Sequence, residues 1–335
     1  MSTKDAASAI DAIFGGEPET SGVNIWLDTG YPPLNKALSG NHDGGLPCGR
    51  IVQMYGDSSS GKTLIATSCM TAAQQQGGLA LFMDHERSFM KHLAEQNGLN
   101  ISKGYFSLQF PDSFEESITK SIKWAYFIRE NKIIPDDAPL IVVYDSLASM
   151  VPKQKLDKEA DELKMNDKLA LAAACSSVFP ALALHAEKTN CLMLFLDQIR
   201  QDPGIMFGDN TKTSGGKAPG FYASIRIALS RKVLKEGGEE YGQKITAKIV
   251  KNKVSRPFQK CEWDFLFKED GTGYLDKVGG MVDYLCDLGV LKKSGAFIEF
   301  NGKKYNRKPL VELIYNNDLY DELVKLLPRA ESLTE

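Results

Sequence analysis

Eight consecutive residues, Gly56-Asp57-Ser58-Ser59-Ser60-Gly61-Lys62-Thr63, fit the pattern G-x-x-x-x-G-K-[ST]. The chemistry of that pattern is phosphate binding. Its glycines let the backbone close around an anion, and successive N–H groups at a helix N-terminus face the negative charge. With average residue frequencies, a chance match in a chain of this size is roughly one in a hundred. The spacing assigns residues Gly56 to Leu64 to a nucleoside triphosphate. Lys62 is expected on the β- and γ-phosphates and the Thr63 hydroxyl on Mg²⁺. Hydrolysis also needs a second carboxylate for the metal and a group that activates water. Asp145 follows the apolar run 140–144, and Glu86 follows the run 79–83 within Asp84-His85-Glu86. A carboxylate at Glu86 can polarise an attacking water as a general base, while His85 reads as structural. Guanine recognition finds no support: the nearest approach to N-K-x-D, Asn252-Lys253-Val254-Ser255, ends in serine. ATP is the expected nucleotide.

These residues need a scaffold that brings several strand ends together. Residues 51–55, 79–83, 105–110, 140–144 and 191–196 read as short apolar strands. Helical patterns lie between them: 63–76 with Ile65, Cys69 and Ala72 on one face, a face of Phe114, Ile118, Ile122 and Ala125, and a long helix over 167–187 kinked or delayed by Pro180. Near-continuous apolar strands alternating with helices predict a mostly parallel sheet covered on both faces, an α/β class of fold. Past residue 220 the pattern becomes strands at 222–229, 244–250 and 258–267, expected as antiparallel additions at the sheet edge. A small α+β module closes the chain, with a helix near 277–287, a hairpin at Asn301-Gly302 and a helix near 318–327. The predicted division is a short N-terminal helix and linker (1–24), a core (25–270) and a small C-terminal domain (271–335).

Composition narrows the class. The 335 residues are 43% hydrophobic and 25% charged with a net charge of −3, which excludes a disordered, collagenous or broadly basic chain. Charge is segregated all the same: residues 288–310 hold Lys292, Lys293, Lys303, Lys304, Arg307 and Lys308 against the single acid Glu299. Six cysteines without a C-x-x-C pair read as buried thiols of a reducing, cytoplasmic compartment. Neither a secretory signal nor a membrane span is expected.

Several runs together resemble the RecA family of homologous-recombination ATPases. They are GGLPCGRIVQMYGDSSSGKT (44–63), LFMDHE (81–86), LIVVYDS (140–146), DQIR (197–200), GIMFG (204–208), TSGGKAPGFYASIRIALSR (213–231) and KIVKNKVSRPF (248–258). The likeness covers roughly residues 25–300. It implies a P-loop core that hydrolyses ATP in response to DNA, forms a helical filament on single-stranded DNA, and pairs and exchanges strands. In that light Lys62, Glu86 and Gln198 are catalytic, Gln198 sensing the γ-phosphate, and Thr63 and Asp145 hold Mg²⁺. Lys251 and Lys253 reach across to the neighbouring protomer's ATP, two cations spaced by two along one strand.

The resemblance also assigns DNA contacts. Residues 200–217 match the second DNA-binding loop, with Arg200, Ile205, Met206, Phe207, Gly208, Gly215, Gly216 and Lys217 as contacts. Met165 lies at the first-loop position, and the C-terminal lysines match a patch for duplex DNA. The implied partners are single- and double-stranded DNA, further copies of the chain, single-strand-binding protein and loading mediators. Where the family holds adenine with an aspartate and a tyrosine, this chain has Met90 and Leu93. Two other readings use the same core: a ring-shaped helicase, and an accessory paralogue that caps or loads filaments. Against the second, Lys62, Glu86, Asp145 and Gln198 are all present.

Overall fold

The computed structural model describes residues 22–156, 158, 169–201, 211–269 and 272–328. The expected N-terminal helix, Met165 and the segment from Asp202 to Asn210 lie outside them. The five apolar runs are the strands β3 (Ile51–Gly56), β4 (Leu79–Asp84), β5 (Phe106–Gln109), β6 (Leu140–Asp145) and β7 (Cys191–Gln198). Ahead of them, β1 (Trp26–Leu27) and β2 (Leu46–Pro47) form a small ribbon flanking helix α1 (Pro32–Ser39). The intervening helices are α2 (Lys62–Gln75), α3 (Lys91–Gln96), α4 (Phe114–Glu130), α5 (Lys153–Leu156) and α6 (Ala170–Lys188). A 3-10 turn, Leu147–Ser149, follows β6.

Later strands extend the sheet. A minimal pair, β8 (Arg200–Gln201) and β9 (Thr211–Lys212), precedes helix α7 (Ala218–Tyr222). Then come β10 (Ile225–Glu236), β11 (Glu239–Asn252), β12 (Lys260–Phe267) and β13 (Gly273–Leu275). The nine-stranded order is β13-β12-β11-β10-β3-β7-β6-β4-β5. Strands from β10 to β5 run parallel to their neighbours, and β10 to β13 are antiparallel. The parallel core with an antiparallel edge thus follows the sequence pattern, but the β10–β11 hairpin is longer than expected. Its two-residue turn, Gly237-Gly238, has φ of 60° and 93° at the two positions, a mirror-image turn that fits the strand twist and favours glycine.

Period-two alternation sorts the core into two layers. Val52, Met54, Ile141, Val143, Leu192, Leu194 and Leu196 face α2, whose Ile65, Ala66, Cys69, Met70 and Ala73 pack against them. Ile51, Leu140, Val142, Tyr144, Met193 and Phe195 face α4 and α6. By length and composition α6 could cross a bilayer, but its Cys175, Phe179, Leu182 and Ala186 are buried against the sheet, as in a core helix. Pro180 sits within α6 without ending it.

A third cluster forms in the C-terminal segment from α8 (Lys277–Asp287), the strands β14 (Lys293–Ser294), β15 (Phe297–Phe300) and β16 (Lys303–Asn306), and the helices α9 (Arg307–Asn316) and α10 (Tyr320–Lys325). The sequence pattern foresaw α8, the β15–β16 hairpin and the last helix. It missed α9, which buries only Leu310 and Ile314.

Phe195 is fully buried, stacked on Tyr144 at 4.2 Å between ring centroids and touching Phe179 at 5.0 Å. Phe195→Ala is expected to lower the unfolding free energy by about 3–5 kcal/mol in denaturant titration. A loss below about 1 kcal/mol would contradict a close-packed stack at the sheet centre.

Candidate nucleotide and polynucleotide site

In a parallel sheet, strands that run the same way end on the same edge, and their loops meet there. The carboxyl ends of β3, β4, β6 and β7 each deliver one element of the site. From β3 the chain enters the loop 57–61 and turns into α2, so Lys62 and Thr63 sit on the first helical turn. Ser59 and Gly61 have φ of 59° and 84°, and the space a Gly61 side chain would occupy is open. This is the left-handed geometry of an anion-binding nest. Ser60 is buried, whereas Asp57, Ser58 and Ser59 are exposed. Leu64 follows on α2, half-buried.

Lys62 is buried and folded back over its own loop. Its Nζ donates to the Gly56 carbonyl (3.0 Å), the Asp57 carbonyl (2.7 Å) and Ser60 Oγ (3.4 Å). Burial lowers its pKa, opposed by the carboxylates of Asp145 and Glu86. The ammonium is thus stored on acceptors that a phosphate can outcompete.

Thr63 Oγ1 donates to Asp145 Oδ2 at 3.0 Å. Asp145 is buried, and its pKa is pushed up to about 6, by burial first and by the neighbouring Glu86 second. The nearby Lys62 offsets this only in part. Among the described residues no group of three or more His, Cys, Asp or Glu could cage a metal. The donors present, one hydroxyl and one carboxylate, fit a hard divalent ion that takes its remaining ligands from phosphate and water.

Glu86 lies across from Asp145, and its backbone N–H donates to the Asp145 carbonyl at 3.2 Å. One carboxylate oxygen, Oε1, accepts from Ser146 Oγ (2.5 Å), Gln198 Nε2 (2.8 Å) and Ser149 Oγ (3.4 Å). Three donors on one oxygen fix the carboxylate's orientation and leave its other oxygen to receive a proton. Gln198, expected at the γ-phosphate, is thus on Glu86 here. His85 is pushed down to about 4 by burial, a neutral imidazole at physiological pH, as a structural histidine requires.

The loop after β7 begins and ends in an ordered stem, β8 with β9, where the sequence suggested an unstructured stretch. Arg200 and Lys212 are partners in it. Ile205, Met206, Phe207 and Gly208 fall outside the described residues. Gly215 and Gly216 have φ of 74° and 73°, and a side chain on them would meet Cys175 Sγ at 2.8 Å and Ala172 Cβ at 2.9 Å. The loop exit therefore rests directly on α6. Lys217 is the exposed N-cap of α7.

Lys251 lies in β11, and Lys253 falls just past its end, a correction to their placement on one strand. Lys251 Nζ donates to the carbonyls of Gly220 (2.9 Å) and Phe221 (2.6 Å). Burial, then Lys253 and Arg226, lowers its pKa to about 8. In the C-terminal patch, Lys292, Lys293, Lys303, Lys304 and Lys308 are exposed. Arg307, expected in the same patch, is exposed too, and its guanidinium makes a two-pronged contact with Asp283 at 2.7–3.1 Å. Met90 is 57% exposed and Leu93 half-buried.

Sequence reasoning missed Ser146, Ser149 and Asp197. Ser146 and Asp197 each lie beside a recognised residue at a strand end, where a polar side chain after an apolar run is the available signal, whereas Ser149 closes the 3-10 turn that follows β6. It also missed Gln243 of β11, which donates to the Ser59 carbonyl at 2.8 Å and carries no local signal at all.

Residues 12–272 match the family model described as RecA N-terminal domain. The chain belongs to the RecA family. It is 33% identical over 309 residues to Protein RecA of Clostridioides difficile, spanning 90% of this chain and 82% of that one. It is likewise 33% identical to the chromosomal Protein RecA of Lactococcus lactis, spanning 99% and 84%. A solved structure of the RadB recombinase superposes with a TM-score of 0.49 at 22% identity, over 73% of this chain and 97% of that one. This RecA-family chain is a DNA-dependent ATPase of homologous recombination, the activity of filament formation and strand exchange.

Asp145 generates a pH prediction. Its folded pKa lies above the ordinary carboxylate value, so the folded state holds its proton to higher pH than the unfolded chain does. In the nucleotide-free protein its contribution to stability is therefore greatest below about pH 4 and is lost as pH rises to about 6. Melting temperatures of the parent relative to Asp145→Asn should fall between pH 4.5 and 7. A parallel course of the two curves would contradict the assignment.

Proposed function

We propose a division of labour among these residues in which ATP bound between protomers controls the grip on DNA. The observation that carries it is the Gln198–Glu86 hydrogen bond. Gln198 ends the strand that runs into the 200–217 loop, and Glu86 is the base candidate beside the phosphate loop. A change at the phosphates and a change in the loop are therefore felt by one amide. On this reading residues Gly56 to Leu64 bind the triphosphate, Lys62 turns from its backbone acceptors to the phosphates, and Glu86 takes the proton of the attacking water. Thr63 and Asp145 hold Mg²⁺, which when bound neutralises charge on the phosphate oxygens.

Lys251 and Lys253 serve the neighbour's nucleotide. A cation such as Lys251, whose protonation is opposed by burial and then by the neighbouring Lys253 and Arg226, is relieved by an anion, and a polyphosphate supplied from the adjacent copy is suited to that. An isolated protomer is then a poor ATPase, and assembly and turnover rise together. The loop 200–217, with Arg200, Ile205, Met206, Phe207, Gly208, Gly215, Gly216 and Lys217, holds single-stranded DNA, and Met165 adds a wedge. Lys292, Lys293, Lys303, Lys304 and Lys308 gather duplex DNA on the C-terminal domain (271–335), behind the core (25–270) and the polymerisation segment (1–24). The work is cytoplasmic, on the nucleoid, with single-strand-binding protein and loading mediators as partners.

The test is ATP turnover with and without single-stranded DNA, alongside electron microscopy of the ATP-bound complex. Stimulated turnover and open helical filaments support the reading; closed rings would favour a helicase, and no stimulation would contradict it. DNA affinity should fall steeply and log-linearly with salt, as counterion release requires. Replacing Lys251 and Lys253 together with alanine should reduce stimulated turnover by ~10³-fold, with ATP affinity changed only a few-fold. A drop in affinity that accounts for the whole loss would contradict a role in trans.

A further inference from the structure

Asp197 is fully buried, outside the phosphate site and unused by the hydrolytic chemistry. Its carboxylate is nevertheless crowded with donors. Oδ1 accepts the backbone N–H of Gln198 at 2.9 Å, and Oδ2 accepts the backbone N–H of Ser214 at 2.8 Å and Gln53 Nε2 at 3.3 Å. Gln53, also fully buried, passes the bond on: its Oε1 accepts from Arg226 Nε at 2.9 Å, while the Arg226 guanidinium lies 4.9 Å from the centroid of the Tyr55 ring. Burying a carboxylate without a direct cation partner is unfavourable unless hydrogen bonds satisfy its oxygens. Here three N–H groups and the Ser214 hydroxyl do so, and Gln198 and Ser214 are the residues that open and close one loop.

We propose that Asp197 is a positioning residue that pins both ends of the 199–213 segment to one point, so that the state of that loop and the placement of Gln198 on Glu86 move together. This rests on the reading of the loop as the polynucleotide site. The geometry is specific to a carboxylate. An asparagine offers one acceptor oxygen, and its NH₂ would face a backbone N–H that has nothing to donate to. The β8–β9 ladder continues from the pin, pairing Arg200 with Lys212 and Gln201 with Thr211. Gly215 and Gly216 hold the exit against α6. The entry strand carries Gln198 toward Glu86. A pull on the loop thus reaches the amide that touches the base through one rigid junction, without any change in the sheet.

The test uses the full chain with Asp197→Asn and Ser214→Pro; the proline removes the Ser214 donor without altering the sheet. Amide hydrogen exchange in the absence of nucleotide and DNA should show the Gln198 and Ser214 N–H groups of Asp197→Asn exchanging about tenfold faster than in the parent. The other β7 amides should stay protected. Unchanged exchange at both positions overturns the pin. ATP turnover is then measured with and without single-stranded DNA. In both variants the stimulated kcat should fall about tenfold, the loss of one hydrogen bond to a charged group, while KM for ATP stays within twofold. Stimulation within twofold of the parent in both variants overturns the coupling role. If the parent itself shows no stimulation, the reading of the loop has failed, and the exchange result still decides whether Asp197 pins its ends.

Discussion

Charge is held where burial opposes it, and the organisation of this molecule follows from how that cost is met. Lys62, Asp145 and Asp197 are all buried, and each has its pKa moved toward the neutral form by desolvation. What keeps them in place is hydrogen bonding to nearby backbone and to neighbouring polar side chains such as Ser60, Thr63 and Gln53. The parallel sheet makes this feasible because its strands end together, leaving a concentrated set of backbone and side-chain donors at one edge.

The two acidic positions solve the problem differently. Asp197 has its oxygens filled by N–H groups and the Ser214 hydroxyl, a closed arrangement suited to holding a junction. Asp145 has one hydroxyl donor and a second carboxylate nearby, an open arrangement that a cation would complete. Glu86 stands between them in character: one oxygen held by three donors, the other uncommitted.

Much of this was legible in the sequence because its signals are local. The phosphate loop is eight contiguous residues, and β6 and β7 are uninterrupted apolar runs whose ends mark Asp145 and Gln198. What escaped was set by distant partners. Arg307 reads as part of a basic patch, yet Asp283, one helix earlier, engages its guanidinium. The outer half of the β10–β11 hairpin faces solvent and has no alternating pattern to betray it, so its length depended on the Gly237-Gly238 turn. Helix α9 buries too few residues to show a stripe. Gln243 acts on the phosphate loop from a strand whose own pattern says nothing of nucleotide.

The central claim is that Glu86, oriented through one oxygen, is the base that makes the bound triphosphate hydrolysable. It is tested most directly by measuring ATP turnover on single-stranded DNA and ATP affinity for Glu86→Gln beside the parent. The account predicts turnover lower by about 10²–10⁴-fold with affinity within a few-fold, the DNA complex persisting after ATP is added. Turnover within twofold of the parent would contradict it.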